Sequence, residues 1–182
     1  MKTTVYNDQL CWLRRFTFRF ILFGSCLIGS AQYSLAQMSA HKGQALFIYN
    51  FTKYVKWPNQ ASNLVIGVLG DSEMLAEMNA SLKGKKAGES ILEIRKVTSV
   101  TEAAQCNLVY VPSSRSKDLE NLINAVQEKG VLVVSEEDMA DKGASISFLL
   151  VESKLRFKIN AQTIKKSGLQ VSSSLLSLAV TM

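Results

Sequence analysis

Residues 45–58 constrain the fold more than any other stretch of the chain. Four large apolar side chains in this stretch recur with the 3.6-residue period of an α-helix, so they share one face. They are Phe47, Ile48, Phe51 and Val55. Pro58 disfavours helical geometry in the residue before it, so we expect the helix to end at Trp57. Its apolar face needs a covering sheet or helix, which the rest of the chain must supply.

Trp57 stands at the predicted end of this helix and has two open interpretations. Large aromatic side chains are mostly buried for packing, which favours a place in the core or at its rim. An indole at a helix end can also belong to a recognition surface.

The first 36 residues have the pattern of a secretory signal peptide. Arg14, Arg15 and Arg19 form a basic region, residues 20–28 an apolar one, and small residues precede a cut after Ala36. We therefore predict a cleaved leader at 1–36, export to the periplasm, and a single domain at 37–182.

Two alternatives to a cleaved leader remain open. A membrane anchor is disfavoured because the apolar run is about ten residues, against about twenty for a span. A lipoprotein acylated at Cys26 is disfavoured because the residues before that cysteine match poorly the leucine-led box that usually precedes an acylated cysteine.

Cys106 is the only cysteine after the leader. It can form no internal disulfide and no multi-cysteine zinc site. It is a small buried hydrophobe at a strand entrance or, alternatively, the donor of an intermolecular bridge.

The net charge of +6 does not predict a nucleic-acid partner. Four of the 21 basic residues and one of the 15 acidic residues precede Gln37, so the remainder carries only +3. No basic run alternates with aromatic residues, as a nucleic-acid groove would require.

Strands and helices alternate through the middle of the chain. Helices are predicted at 73–82 and 115–129, the second ended by Gly130. Strands are predicted over 64–69, 91–97, 108–111 and 131–134. Apolar runs of this kind indicate parallel strands covered on both faces and joined by right-handed crossovers.

Beyond Gly143 the pattern changes to an antiparallel hairpin. Residues 145–151 and 154–160 read as strands around Glu152-Ser153, and the second strand alternates between apolar and basic side chains. Asn160 is placed to cap a short helix at 161–167. The predicted fold is therefore α/β: a mostly parallel, Rossmann-like sandwich flanked by helices, with this hairpin at the edge.

The sequence offers little catalytic or metal-binding chemistry. His41 is the only histidine, expected in a loose N-terminal region, so a Ser-His-Asp relay and a metal site are disfavoured. The acidic run at 136–138 is expected in the first turn of a helix. Gly70-Asp71 follows a strand and precedes a helix, where an anion could bind backbone amides, although the glycine fingerprint of a nucleotide fold is missing. No enzyme activity and no cofactor are predicted.

Several stretches together resemble the YfiR family of small exported proteins. They are residues 45–58, 65–70, Cys106 before a strand, 131–135, 155–160 and 167–169. The resemblance spans nearly all of the chain after the leader, and it depends on the order and spacing of these stretches.

The resemblance implies a periplasmic, non-catalytic repressor. Family members bind the periplasmic sensor region of an inner-membrane diguanylate cyclase, lowering cyclic di-GMP signalling and biofilm formation. The partner-binding residues it implies here are Trp57, Lys158, Ile164, Lys166 and Gln170. Several relatives carry paired cysteines that adjust repression, whereas Cys106 stands alone.

Two further possibilities follow from the residues themselves. One is a periplasmic small-ligand carrier or sensor that uses the crevice near Gly70-Asp71. The other is a homodimer formed through the exposed edge strand.

Overall fold

The computed structural model describes residues 40–58 and 62–180. The predicted leader and Cys26 lie outside these residues. The first described element is a helix, α1, over residues 40–54. Ile48 and Phe51 on its apolar face are fully buried, which confirms the face predicted from the periodicity.

Nine strands and five further α-helices follow residue 54 in the described part of the chain. The strands are β1 Val55–Lys56, β2 Asn63–Leu69, β3 Lys86–Ala87, β4 Ser90–Val97, β5 Leu108–Val111, β6 Leu132–Ser135, β7 Ile146–Val151, β8 Lys154–Ile159 and β9 Gln170–Val171. The helices are α2 Glu73–Ser81, α3 Val100–Ala103, α4 Leu119–Val126, α5 Ala161–Lys166 and α6 Ser173–Leu176. Short 3-10 turns occupy Ser113–Asp118 and Ala140–Lys142.

Seven strands form the main sheet in the order β3-β4-β2-β5-β6-β7-β8. The strands from β4 to β7 pair in parallel, as the alternation of strands and helices predicted. Both edges are antiparallel, since β3 pairs with β4 and β8 with β7. The sheet is therefore mixed rather than mostly parallel. The short β3 lacked a sequence signal because two residues are too few to show a period.

Each face of the sheet has its own apolar core, which explains the continuous apolar runs of the central strands. Leu108 and Tyr110 of β5 belong to the core that also contains residues of α1 and α2. Val109 and Val111 of the same strand point to the core on the other face, beside α4. Alternate residues of this buried strand thus pack against the helices on opposite faces of the sheet.

The N-terminal helix is shorter than predicted, because tertiary pairing takes over its last turn. It ends at residue 54, and Val55 and Lys56 pair antiparallel with Val171 and Gln170 of β9. The backbone N–H of Ser172 also donates to the carbonyl of Tyr54 at 3.0 Å. Trp57 therefore follows a strand rather than ending a helix.

The helix predicted at 115–129 is also shorter in the structure. Its α-helical part begins at Leu119 and ends at Val126, with a 3-10 turn before it. Gln127 leaves the helical region with ψ at 135°, so the helix ends at Val126, four residues before Gly130. The apolar spacing predicted the helix correctly, but the first residues of the predicted range form a 3-10 turn and the last ones leave the helical conformation.

The C-terminal hairpin and its following helix confirm the sequence prediction. Phe148 pairs with Phe157 across the hairpin, and Glu152 and Ser153 form its turn with positive φ. The Oδ1 atom of Asn160 accepts the N–H of Thr163 at 2.9 Å and so caps α5.

Among the described residues, no helix has both the length and the hydropathy to cross a bilayer.

Candidate functional site

Strand β8 forms one edge of the main sheet and carries the basic side chains that the sequence placed there. Lys154 and Arg156 are exposed. Lys158 is less so, because its Nζ donates to Oδ2 of Asp138 at 2.6 Å. This hydrogen bond raises the pKa of Lys158. The basic character of this edge therefore comes from Lys154 and Arg156, and Lys158 is partly neutralised.

The C-terminal segment covers one end of this edge. The N–H of Val180 donates to the carbonyl of Phe157 at 2.9 Å, and Val180 forms an isolated parallel bridge with Lys158. Leu176 and Leu178, in the same segment, are 44% and 62% exposed. The pairing of this segment with β8 is a tertiary contact, so no local sequence pattern predicts it.

The remaining predicted partner residues of the C-terminal region divide between surface and core. Lys166, in the last turn of α5, and Gln170, in β9, are exposed. Ile164 is only 3% exposed and belongs to the core shared with α1. Its side chain therefore packs in the core beneath α5 and is not available to contact a partner in this structure.

Trp57 is half-buried, and its indole is held in a fixed position. Its Nε1 donates to the backbone carbonyl of Asn107 at 3.0 Å, and its ring packs against the core. Neighbouring Lys56 pairs with Gln170, so the pairing of β1 with β9 brings Trp57 near one predicted partner residue. Trp57 thus packs at the rim of the core, as the first interpretation predicts, and remains partly exposed to a partner, as the second requires.

The Gly70-Asp71 crevice already has partners for the groups that an anion would need. The N–H of Gly70 donates to Val97 at 2.8 Å, and the carboxylate of Asp71 pairs with Lys96 at 2.6 Å. Two N–H groups in the first turn of α2 donate to Ser72, that of Met74 to its side chain and that of Leu75 to its carbonyl. The Gly70 N–H and the Asp71 carboxylate are therefore engaged within the protein, and the side chain of Arg115 lies beside Gly70.

His41, expected in a loose region, is 6% exposed and held between two carboxylates. Its Nδ1 lies 3.6 Å from Oε2 of Glu73, and its Nε2 lies 3.3 Å from Oε1 of Glu136. The other carboxylate oxygen of Glu136 accepts the N–H of Ser113 at 2.7 Å. Sequence reasoning missed this group because its members come from four separate elements.

The acidic run at 136–138 lies in the loop after β6 and not in a helix. Glu136 contacts His41 and Ser113, whereas Asp138 pairs with Lys158, so these carboxylates do not face a shared site. Within residues 40–58 and 62–180, no group of three or more His, Cys, Asp or Glu side chains could hold a metal ion.

Cys106 is a free, buried cysteine, as the first of its two interpretations predicted. Its Sγ lies 3.6 Å from the carbonyl oxygen of Glu102, to which the thiol donates. Burial raises the pKa of the thiol to about 11. The thiol is therefore protonated and unreactive at neutral pH.

Comparison with known families gives one finding. The sequence model of the family described as YfiR/HmsC-like matches residues 41–180. The match covers both cores and all nine strands given above.

Proposed function

Because the chain belongs to the YfiR/HmsC-like family, we propose that it is a periplasmic repressor of an inner-membrane diguanylate cyclase. Members of this family are known as periplasmic regulators rather than enzymes. The match over residues 41–180 is the observation that carries the proposal. In this role the protein binds the periplasmic sensor region of the cyclase and lowers cyclic di-GMP and biofilm formation.

The C-terminal third supplies surface features that suit a protein partner. Lys154, Arg156, Lys166 and Gln170 are exposed on successive elements, and Leu178 adds an apolar contact. We refer to these five residues as the C-terminal surface. Among the described residues, strand β8 has a sheet partner on one side and only the Val180 bridge on the other. An unpaired edge of this kind can accept a further strand, and its basic side chains favour an acidic segment.

Repression follows if the protein prefers the inactive conformation of its partner. A binding protein shifts a conformational equilibrium only by its difference in affinity for the two states. To change a sensor from 99% active to 99% inactive takes a preference of about 10⁴-fold. No catalytic group is needed for this, because the output comes from the partner's cytoplasmic domain.

Deletion of the gene in a strain that carries the cognate cyclase tests the proposal. We expect cyclic di-GMP and biofilm mass to rise, and both to return to the starting level when the wild-type gene is restored. An unchanged cyclic di-GMP level in the deletion strain would overturn the proposal.

Surface variants then test the location of the site. Lys166→Glu with Gln170→Glu should restore repression poorly, while Lys142→Glu, an exposed lysine outside the C-terminal surface, should restore it fully. Analytical ultracentrifugation of the same proteins tests the predicted homodimer.

A further inference from the structure

A cleft of about 530 Å³ lies beside Trp57, at the amino ends of the central strands. The last turn of α1 and the β3 strand form its sides, and Asn63 of β2 and Asn107, which precedes β5, lie among its lining residues. This is the end of the sheet opposite to the Gly70-Asp71 crevice. Its volume falls within the usual range for small-molecule sites, about 300 to 1,000 Å³.

One wall of the cleft is rigid, aromatic and apolar. The Asn107 carbonyl accepts the Trp57 indole N–H, and its side-chain Oδ1 accepts the N–H of Val65 at 2.8 Å. The ring is therefore fixed to the residue that precedes β5, which is itself bonded to β2. Val55 and Leu64, both buried, extend the apolar surface. Such a wall suits a flat apolar group, which could pack against the indole without moving it.

The lining of the cleft also carries positive charge. Lys53 and Lys56 line the cleft, and in the described part of the chain neither forms an ion pair. The Nζ of Lys53 lies 3.9 Å from the centroid of the Tyr49 ring, and that of Lys85 lies 5.4 Å from the same centroid. None of the described lining residues is acidic.

Two amides complete the polar side of the cleft. Among the described residues, the Asn107 side chain forms a hydrogen bond through its Oδ1 and none through its Nδ2. Asn63, at the exposed start of β2, offers a second side-chain amide. Ammonium and amide N–H groups together suit a carboxylate, which accepts several hydrogen bonds.

We infer that this cleft binds a small organic acid, with its flat apolar part against Trp57 and its carboxylate toward Lys53 and Lys56. A purely structural explanation of the two lysines competes with this inference, since basic residues near the C-terminus of a helix stabilise its dipole. The two explanations differ in what is lost when the lysines are replaced: ligand affinity in one case, and only stability in the other.

Tryptophan fluorescence provides a direct test. The chain has two tryptophans, so Trp12→Phe leaves Trp57 as the single reporter whether or not the leader is retained. The exported protein is titrated with 3-phenylpropanoate and, separately, with its neutral analogue 3-phenylpropanamide. We expect a saturable change with the acid and an affinity about tenfold lower for the amide, as for the loss of one charged contact.

Charge variants of the same protein decide between the two explanations. Lys53→Gln with Lys56→Gln should weaken binding of the acid about tenfold and leave that of the amide unchanged. Lys142→Gln, an exposed lysine away from the cleft, should bind the acid like the parent protein. Isothermal titration calorimetry repeats each measurement without the optical reporter.

Three results would overturn the inference. They are no saturable signal with the acid up to about 10 mM, equal affinities for acid and amide, and an unchanged affinity for the acid in the double variant. The experiment contains no cyclase, so its failure leaves the proposed repressor function untouched. The converse also holds, since a protein that does not repress can still bind the acid.

Discussion

The Nε2 atom of His41 lies 3.3 Å from Oε1 of Glu136 and thereby joins the start of helix α1 to the loop after β6. The other ring nitrogen faces Glu73, in the first turn of α2. The imidazole is 6% exposed, so this contact lies largely out of water. One side chain thus connects the N-terminal helix to helix α2 and to the loop after β6, both at the carboxyl ends of central strands.

Replacing His41 should therefore destabilise the fold. His41→Ala removes the partner of Glu136 and leaves space at the base of α1, which we expect to lower the free energy of unfolding by about 1–3 kcal/mol. Lys42→Ala is the matched control, because Lys42 is the exposed neighbour on the same helix, and it should change stability by less than about 0.5 kcal/mol. Urea denaturation measures both. Equal values for the two variants would show that the His41 contacts add nothing.

Gly67, in the middle of β2, should not tolerate a methyl group. A Cβ at this position would lie 2.6 Å from Cγ2 of Val97 and 2.8 Å from Sγ of Cys106. Gly67→Ala should cost about 1–3 kcal/mol, as for overpacking in a core. Cys106→Ala removes one of the two clashes, so the double variant should be more stable than the sum of the single changes predicts. Strict additivity in urea denaturation would contradict this geometry.

Cys106 should make stability fall at alkaline pH. Its folded pKa is raised to about 11, whereas an unfolded thiol ionises near pH 8.5. The unfolded chain therefore loses its proton first, and stability is lost as the pH rises from about 8.5 toward 11. Cys106→Ala should flatten this part of the pH profile of thermal unfolding. Burial also raises the pKa of Tyr110. Because both proteins contain Tyr110, its contribution to the pH dependence cancels when they are compared.

The same burial predicts the chemical reactivity of the thiol. In native protein at pH 8, Cys106 should react with a disulfide reagent only as fast as the chain opens, and it should react at once in 6 M guanidinium. Fast reaction of this thiol in the native state would contradict a buried side chain. It would also reopen the possibility of an intermolecular disulfide.

Sequence patterns correctly predicted those parts of the fold that depend on interactions between residues close together in the chain. The apolar runs that became β2 and β5 are buried on both faces, and the Asn160 cap is an interaction between neighbours in the chain. The pairing of β1 with β9 was missed because two-residue strands far apart in sequence carry no period. The same pairing shortened the predicted N-terminal helix by claiming Val55 and Lys56.

The candidate site shows the same division. Alternation placed Lys154 and Arg156 on an open face of β8 and correctly predicted a basic edge. It did not show that Asp138, from another loop, neutralises Lys158, or that Ile164 points into the core. The cleft beside Trp57 was also invisible, since residues from α1, β2, β3 and the loop before β5 form it.

Ile164 and Lys166 should separate stability from partner binding, although they lie two positions apart in α5. Ile164 is 3% exposed, so Ile164→Ala should lower the free energy of unfolding by about 2–5 kcal/mol. Lys166→Glu, on the exposed side, should leave stability within about 0.5 kcal/mol of the wild type. If the C-terminal surface binds the cyclase sensor, Lys166→Glu should nevertheless weaken binding, and more strongly at low salt than at high salt.

Binding to the purified sensor domain at two salt concentrations, together with urea denaturation, measures both effects. Lys165→Glu is the control, since it makes the same charge change at the neighbouring exposed position. A salt-dependent loss of affinity for Lys166→Glu that exceeds the loss for Lys165→Glu supports a specific contact. Equal losses indicate only a general attraction to basic charge. Repression that follows the stability of each variant, and not its surface charge, would exclude the C-terminal surface as the partner site.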